Sequence, residues 1–185
     1  MKVKETEIEG VLIVEPAVFE DKRGYFMETY HRQRYDQQGI NVDFVQDNVS
    51  YSKKGILRGL HYQYPSEQAK LVYVLKGEVF DVAVDIRQES PAFGKVTSVI
   101  LSEQNNRQFF IPKGFAHGFC VLSATAVVSY KCSDFFNPKD EGGILWSDPD
   151  LKINWSIKAP LLSEKDSAYK RLRDVPSTKL PVYKD

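Results

Sequence analysis

The chain has 185 residues, 42% of them hydrophobic, and its 25 lysines and arginines balance 25 aspartates and glutamates. This length suits a single compact domain with a substantial core. The balanced charge excludes a basic field that would recruit nucleic acid or an anionic membrane. Because no apolar signal core and no run of roughly 18 apolar residues occurs, we expect a soluble, cytoplasmic protein with no membrane partner.

The two cysteines, Cys120 and Cys132, lie in apolar, strand-like runs. Two thiols are too few to staple a small secreted scaffold. We therefore expect both to be reduced core residues.

The first forty residues predict short strands at residues 11–14 and 17–19. Residues 29–38 are polar with spaced tyrosines, and Gly39 stands where a helix C-cap glycine is expected. The pattern predicts one short peripheral helix, with His31 on its surface.

The middle of the chain contains a succession of strand-length segments separated by turn-rich pieces. They are residues 44–50, 56–63, 70–75, 79–86, 96–101, 108–111, 118–122 and 126–131. Such regular spacing without intervening helices is typical of an antiparallel sandwich or small barrel. No internal repeat of 20 to 50 residues is visible, which excludes solenoids and propellers.

Alternation is clearest in residues 79–86, which predict a strand with one buried face and one mixed face. The apolar face carries Phe80, Val82, Val84 and Ile86, and the mixed face carries Val79, Asp81, Ala83 and Asp85.

The last third predicts a terminal helix that opens at residues 162–166 and runs to about Leu172. The last dozen residues, with Pro176 and Pro181, predict an extended arm. We therefore expect one domain over residues 1–185, with a C-terminal arm after about residue 172.

Residues 58–63, Arg-Gly-Leu-His-Tyr-Gln, place an imidazole in a segment that otherwise predicts a strand. In a regular strand Arg58 and Tyr62 face one side and His61 the other. A histidine in this position is either a hydrogen-bonded core residue or a reactive group.

The three histidines, His31, His61 and His117, form neither a His-x-His pair nor a His-Glu-x-x-His motif, so the sequence gives little support for a metal site. It also lacks the glycine-rich motifs of nucleophilic hydrolases, phosphoryl-transfer enzymes and dinucleotide binders. The remaining polar side chains suit proton abstraction next to a carbonyl in a phosphate-bearing ligand. They are Arg23, Gln46, Asn48, Arg58, His61, Lys70, His117, Tyr130, Lys165 and Asp166.

Seven ordered blocks resemble the dTDP-4-dehydrorhamnose 3,5-epimerase family, whose enzymes invert two stereocentres of a nucleotide-linked 4-keto-6-deoxyhexose. The blocks are residues 21–26 (DKRGYF), 44–48 (FVQDN), 57–61 (LRGLH), 77–87 (GEVFDVAVDIR), 111–119 (IPKGFAHGF), 130–131 (YK) and 162–166 (LSEKD). The resemblance implies a mainly β, double-stranded β-helix of the cupin-like jelly-roll type with a few short peripheral helices. It also implies a homodimer with shared active sites that works without metal or cofactor.

The resemblance further implies a dTDP-4-keto-6-deoxyhexose substrate, epimerised at C3 and C5 next to its C4 ketone. The family's general base falls on His61, the aspartate that orients it on Asp166, and the general acid on Tyr130. The cation that meets enolate charge falls on Lys70. The remaining substrate contacts fall on Gln46, Asn48, Arg58, His117, Glu141 and Lys165, and on Arg23 and Glu28, which lie partly across the dimer interface.

Simpler roles stay open for several of these residues. Asp166 lies three residues after Ser163 and could close a capping box, and Tyr130 could be a buried aromatic with a satisfied hydroxyl. Lys70 could be a solvated strand end, and Arg23 could serve ordinary turn chemistry.

The function has alternatives as well. They are an epimerase that acts at C3 only or C5 only, a non-catalytic sugar-nucleotide binder, and a metal-dependent oxygenase or isomerase. Two segments also depart from the family pattern. Phe135 and Phe136 stand where many relatives carry a tyrosine, and residues 167–170 (SAYK) replace an alanine- and proline-rich continuation.

Overall fold

The computed structural model describes residues 1–183, and strands dominate it. In chain order they are β1 (Lys2–Glu5), β2 (Leu12–Glu15), β3 (Val18–Asp21), β4 (Gly24–Met27), β5 (Gln46–Lys53), β6 (Leu57–Gln63), β7 (Lys70–Lys76), β8 (Glu78–Asp85), β9 (Val96–Ser102), β10 (Gln108–Ile111), β11 (Phe115–Val121), β12 (Thr125–Cys132) and β13 (Glu141–Gly143). Two short helices, α1 (Arg32–Asp36) and α2 (Glu164–Ser167), and two 3-10 turns, Leu172–Asp174 and Ser177–Lys179, complete the elements.

The strands form two antiparallel sheets and a separate hairpin. The first sheet has the order β1-β2-β10-β7-β12-β5, the second has the order β13-β6-β11-β8-β9, and β3 pairs with β4. From β5 to β12 the chain passes repeatedly from one sheet to the other. This arrangement is a double-stranded β-helix, or jelly roll, and it confirms the predicted mainly β fold with short peripheral helices.

Apolar side chains are buried in three layers. The central layer lies between the sheets, where Val72 of β7 and Ala83 of β8 belong to one cluster. A second cluster covers the outer face of the second sheet, where Val84 packs with Leu180 of the C-terminal segment. A third places Tyr35 of α1 against the outer face of the first sheet. The second sheet is therefore buried on both faces.

The prediction that β8 has one buried and one mixed face is wrong. Val79 and Ala83 lie in the layer between the sheets, and Val84 lies in the outer cluster. Asp81 and Asp85 are also completely buried. An alternating pattern cannot distinguish an aspartate exposed to solvent from one that faces a polar interior.

The prediction that Arg58 and His61 face opposite sides of their strand is also wrong. His61 pairs with His117 and Arg58 pairs with Phe119, so three steps along β6 match two along β11. This is a β-bulge, which turns both side chains towards the first sheet. Nε of Arg58 accordingly donates to Oγ of Ser52 on β5 at 3.0 Å.

The helices are shorter than predicted. His31 is the N-cap of α1, and its Nδ1 accepts from the backbone N–H of Arg34. The terminal helix ends at Ser167 rather than near Leu172, and the expected extended arm contains the two 3-10 turns. Neither α1 nor α2, the helices of residues 1–183, is long enough to cross a membrane.

Gly77 and Gly39 both adopt left-handed backbone conformations, with φ of +82° and +87°. Their surroundings differ. A Cβ at Gly77, between β7 and β8, would lie 2.1 Å from the carbonyl oxygen of Thr125, whereas a Cβ at Gly39 would meet nothing within 4 Å. Gly77 is therefore required by sterics as well as by backbone conformation.

We predict that Gly77→Ala lowers the free energy of unfolding by at least about 3 kcal/mol, and Gly39→Ala by about 1 kcal/mol. Urea denaturation of both variants checks this. Both variants carry the same cost of a left-handed backbone at alanine, so the difference between their two losses of unfolding free energy measures the clash with Thr125. Equal losses in the two variants would contradict the steric argument.

Candidate active site

An open cavity of about 280 Å³ lies between the two sheets near one end of the jelly roll. The first sheet contributes side chains from β5, β7 and β12, and the second contributes β6 and β13. The lining residues are Gln46, Asn48, His61, Tyr62, Gln63, Gln68, Lys70, Tyr130, Cys132, Phe136 and Glu141. Six of the predicted site residues therefore meet in one cavity: Gln46, Asn48, His61, Lys70, Tyr130 and Glu141.

His61 and Asp166 form a hydrogen-bonded pair on the side of the second sheet, with Nε2 to Oδ1 at 2.6 Å. Burial raises the pKa of Asp166, but the hydrogen bonds from His61, the Gly59 backbone and Ser163 outweigh it, so this pKa lies below its usual value. An ionised carboxylate only accepts. Nε2 of His61 therefore carries the hydrogen, and Nδ1 is the ring nitrogen left to take a proton.

The position of Asp166 is set by the start of α2. Ser163 is the N-cap, and its side chain accepts from the backbone N–H of Asp166 at 3.1 Å. The Asp166 carboxylate bonds to His61. The alternative role is correct in that Ser163 caps α2. The Asp166 carboxylate, however, is hydrogen-bonded to the imidazole of His61.

Lys70 and Tyr130 line the cavity from the first sheet, opposite His61. Burial lowers the pKa of Lys70, although Cys132, Asp81 and Glu141 act in the other direction. Burial raises the pKa of Tyr130, with Arg58 opposing the shift. Lys70 is therefore not the solvated strand end that was the alternative, and Tyr130 stays a neutral phenol that can donate a proton.

His117 lies beside His61 on the neighbouring strand β11 and is almost fully buried. Its Nε2 contacts Oδ1 of Asp81 at 2.8 Å. Burial lowers the pKa of His117, and Lys70 and His61 add to this, while Asp81 opposes it. His117 is therefore a neutral imidazole whose Nε2 is held by Asp81 from behind.

Cations lie at the edge of the cavity. Nζ of Lys165 forms an ion pair with Oε1 of Glu141 at 2.6 Å. Arg58 and Lys165 line an adjoining cavity that also includes His61 and Asp166. These side chains could bind the anionic part of a ligand whose other end reaches His61.

Phe136 occupies the cavity rim at the position where the sequence departs from the family pattern. Its backbone N–H donates to Oε1 of Gln46 at 2.9 Å. Gln63 accepts from the backbone N–H of Asn137 and donates to the carbonyl of Phe135. Two glutamines thus hold this loop against the cavity, with an aromatic ring but no hydroxyl at the rim.

Arg23 and Glu28 are not brought to this cavity within one chain. Arg23 lies on the exposed β3–β4 hairpin and forms an ion pair with Asp21 at 2.5 Å. Glu28 forms an ion pair with Arg34 at 2.8 Å. Within one chain, Arg23 thus serves the turn chemistry that was the simpler alternative.

Two contacts to the histidines were not predicted from the sequence. Asp81 was recognised as a polar residue on an alternating strand but not as the partner of His117. Tyr169 packs its ring against the imidazole of His61, with 5.9 Å between ring centroids. The available signal was its spacing of three residues from Asp166 in the longer helix predicted from the sequence, although α2 ends before Tyr169.

Within residues 1–183, no group of three or more His, Cys, Asp or Glu side chains is arranged to hold a metal ion. The donors of this cavity are instead a histidine–aspartate pair, a phenol and an ammonium on facing sheets. The fold and site thus define a class of protein with a cupin-like fold, whose cavity has the side chains for acid–base chemistry on a polar ligand.

Comparisons with known proteins give the family. The family model for dTDP-4-dehydrorhamnose 3,5-epimerase matches residues 5–174. The Shigella flexneri dTDP-4-dehydrorhamnose 3,5-epimerase is 56% identical over 168 residues, which are 90% of this chain and 93% of that protein. The chain belongs to the dTDP-4-dehydrorhamnose 3,5-epimerase family.

Solved structures agree with this assignment. The 3,5-epimerase from Legionella pneumophila, in complex with dTDP-4-keto-L-rhamnose, matches with a TM-score of 0.97 and 51% identity, covering 100% of this chain and 99% of that one. A 3'-monoepimerase from Streptomyces bikiniensis, in complex with dTDP-quinovose, matches with a TM-score of 0.89 and 33% identity, covering 96% and 92%. The fold is thus shared by enzymes that differ in the number of centres they invert.

The lowered pKa of His117 predicts an acid-dependent loss of stability. Below about pH 6.5 this histidine is protonated in the unfolded chain but stays neutral in the folded chain. Because the unfolded chain then binds more protons, the stability that is present above that pH is lost as the pH falls. We predict a decline of up to about 1.4 kcal/mol per pH unit from this residue, measured as the free energy of urea unfolding between pH 7 and 5. His117→Asn should flatten the slope, and an unchanged slope would rule out this origin.

Proposed function

We propose that the protein epimerises dTDP-4-dehydro-6-deoxy-D-glucose at C3 and C5, giving dTDP-4-dehydro-L-rhamnose, a step in dTDP-L-rhamnose biosynthesis. One observation carries the proposal: His61, hydrogen-bonded to Asp166, and Tyr130 line one cavity from opposite sheets. Inversion at carbon requires a proton to leave one face and another to arrive at the other face. A base and an acid on facing walls meet that requirement.

The C4 ketone acidifies the hydrogens at C3 and C5, so each can be removed as a proton. Nδ1 of His61 takes the proton while the Asp166 carboxylate stabilises the imidazolium. The electron pair of the C–H bond moves into an enolate, and Tyr130 then delivers a proton to the opposite face. A well-placed base or acid contributes about 10²- to 10⁴-fold in rate.

Lys70 is the cation suited to the enolate oxygen. A charge in a cavity with little water stabilises developing negative charge more strongly than it does in water. Because burial lowers the pKa of Lys70, its ammonium also gives up a proton more readily. Lys70 can therefore bind the ketone oxygen and share a proton with it as charge develops.

The remaining predicted contacts suit the nucleotide half of the substrate. Arg58 and Lys165 provide positive charge for the diphosphate. Gln46 and Asn48 offer amides beside Tyr130 on the first sheet, and neutral His117 offers its second ring nitrogen, Nδ1, as an acceptor next to His61. We propose these residues, with Glu141 of the rim, as substrate contacts.

In deuterated water, the wild-type protein should exchange both the C3 and C5 hydrogens of dTDP-4-dehydro-6-deoxy-D-glucose, detected by NMR. His61→Ala should reduce this exchange by at least about 10²-fold, because it removes the imidazole that takes the proton. The control is His31→Ala, which removes a histidine that caps α1. Exchange retained in His61→Ala would sink the assignment of the base.

The same assay tests a second candidate, an epimerase of one centre. Phe136 favours it, because the rim lacks the hydroxyl that many relatives have in this segment, and the 3'-monoepimerase shares the fold. Exchange confined to C3 or C5 would select this candidate. Binding of dTDP-sugar without exchange would instead identify a sugar-nucleotide binder.

We also propose that two copies form a homodimer that shares residues between active sites. Phe19 and Phe26 on the β3–β4 hairpin are 64% and 70% exposed, and Val49 and Tyr51 on the edge strand β5 are 66% and 59% exposed. Such apolar surface favours a protein contact. Arg23, on the same hairpin and outside its own cavity, is then available to a neighbouring one.

Phe26→Asp should convert the dimer to a monomer, measured by light scattering after gel filtration, because a charge would be buried at the contact. The monomer should bind substrate at least tenfold more weakly, because Arg23 of the second copy no longer reaches the cavity. A control variant, Phe93→Asp, alters another exposed aromatic. A wild-type monomer would contradict the proposal.

We place the protein in the cytoplasm. Both thiols, Cys120 and Cys132, are free and buried, which suits a reducing compartment. A biosynthetic enzyme that acts on a nucleotide sugar belongs in the same compartment as its substrate.

A further inference from the structure

The imidazole of His61 is contacted by two residues of the same turn. Asp166 lies in α2 and bonds to Nε2, and Tyr169 follows three residues later with its ring against the imidazole. Tyr169 lies just past Ala168, the C-cap of α2. The short segment 166–169 therefore provides both a hydrogen bond and an aromatic contact to His61.

The two contacts constrain different motions. The bond from Asp166 fixes the position of Nε2, but the ring can still tilt about that point. The ring of Tyr169 meets the imidazole at 71°, with centroids 5.9 Å apart, which is an edge-to-face arrangement. Such a contact resists tilting of the imidazole and so fixes the direction in which Nδ1 points.

Tyr169 is itself held in a slot made by a glycine. A Cβ added at Gly143 of β13 would lie 2.2 Å from Cε2 of Tyr169, so the ring occupies the space that a side chain would need. The backbone N–H of Leu145 donates to the carbonyl of Lys170 at 2.8 Å, which pins the next residue of the turn. The Tyr169 ring is therefore held in the Gly143 slot, and the backbone that follows it is held by this hydrogen bond.

The phenol is neutral in its slot, because burial raises its pKa and the carboxylates of Glu141 and Asp166 raise it further. Tyr169 is thus not a charged group in competition with Asp166. It also lies in the segment where the sequence departs from the alanine- and proline-rich pattern of the family.

We infer that Tyr169, seated in the Gly143 slot, is a positioning residue that holds the imidazole of His61 in the orientation needed for proton abstraction. The inference rests on the proposed function, because it assigns Tyr169 to the catalytic base. It adds to that function a residue that acts through His61 rather than on the substrate.

The first test compares Tyr169→Ala, Tyr169→Phe and Tyr64→Ala in steady-state kinetics with dTDP-4-dehydro-6-deoxy-D-glucose. Tyr169→Ala should lower kcat about 10- to 100-fold, because a misplaced catalytic group costs up to that much. KM and calorimetric dTDP affinity should change less than threefold. Tyr169→Phe keeps the ring and should retain kcat within threefold. Tyr64→Ala removes a ring of equal size from the same cavity wall and should be near wild type.

The second test is a double-mutant cycle with Gly143→Ala. This variant fills the slot and displaces the Tyr169 ring, so it should lower kcat to a similar extent. In the Tyr169→Ala background the slot is empty, and Gly143→Ala should cost less than threefold. Independent, multiplying losses would overturn the inference.

Melting temperatures separate positioning from folding. If Tyr169→Ala does not fold, Tyr169→Leu keeps apolar volume without the ring and should show the same loss of kcat. Wild-type kcat in either truncation would contradict the inference while leaving the proposed function intact. A wild-type protein without exchange at C3 or C5 would instead refute the proposed function.

Discussion

The hydrogen bond between Nε2 of His61 and Oδ1 of Asp166 joins residues 105 positions apart and organises the site. It fixes which ring nitrogen carries hydrogen, and it ties the C-terminal turn to a strand of the second sheet. The same turn can reach His61 because the C-terminal segment packs on the outer face of that sheet through residues such as Leu172 and Leu180. Fold and chemistry therefore share one constraint, the closure of the chain end over β6.

The jelly roll supplies the geometry that a single sheet could not. Its two layers place the base and the acid on facing walls, and the burial that stabilises the core also shifts the pKa values of Lys70, His117 and Tyr130. Buried polar groups need partners, and the pairs His61–Asp166 and His117–Asp81 supply them to both histidines, while Oδ2 of Asp81 is buried without a hydrogen-bond partner among residues 1–183. The interior can thus be polar without losing the apolar layers around it.

Much of the fold was predictable, because strand length, alternation and turns are local properties of the sequence. The family resemblance also identified six side chains that share the cavity, four of which lie in the seven matched blocks. The features that were not predicted depend on contacts between residues far apart in the sequence. The bulge that brings Arg58 to the side of His61 depends on pairing with β11. Asp81 stood on the mixed face of its strand with no visible partner, because that partner lies 36 residues away.

The central claim is that removal and delivery of the proton occur on opposite walls. Tyr130→Phe tests it most directly, by NMR of the substrate in deuterated water with product stereochemistry recorded. The account predicts deuterium at C3 or C5 with retained configuration, because His61 still removes the proton and returns a deuteron from the same face. Full inversion at the wild-type rate would contradict it, since the proton would then arrive without Tyr130.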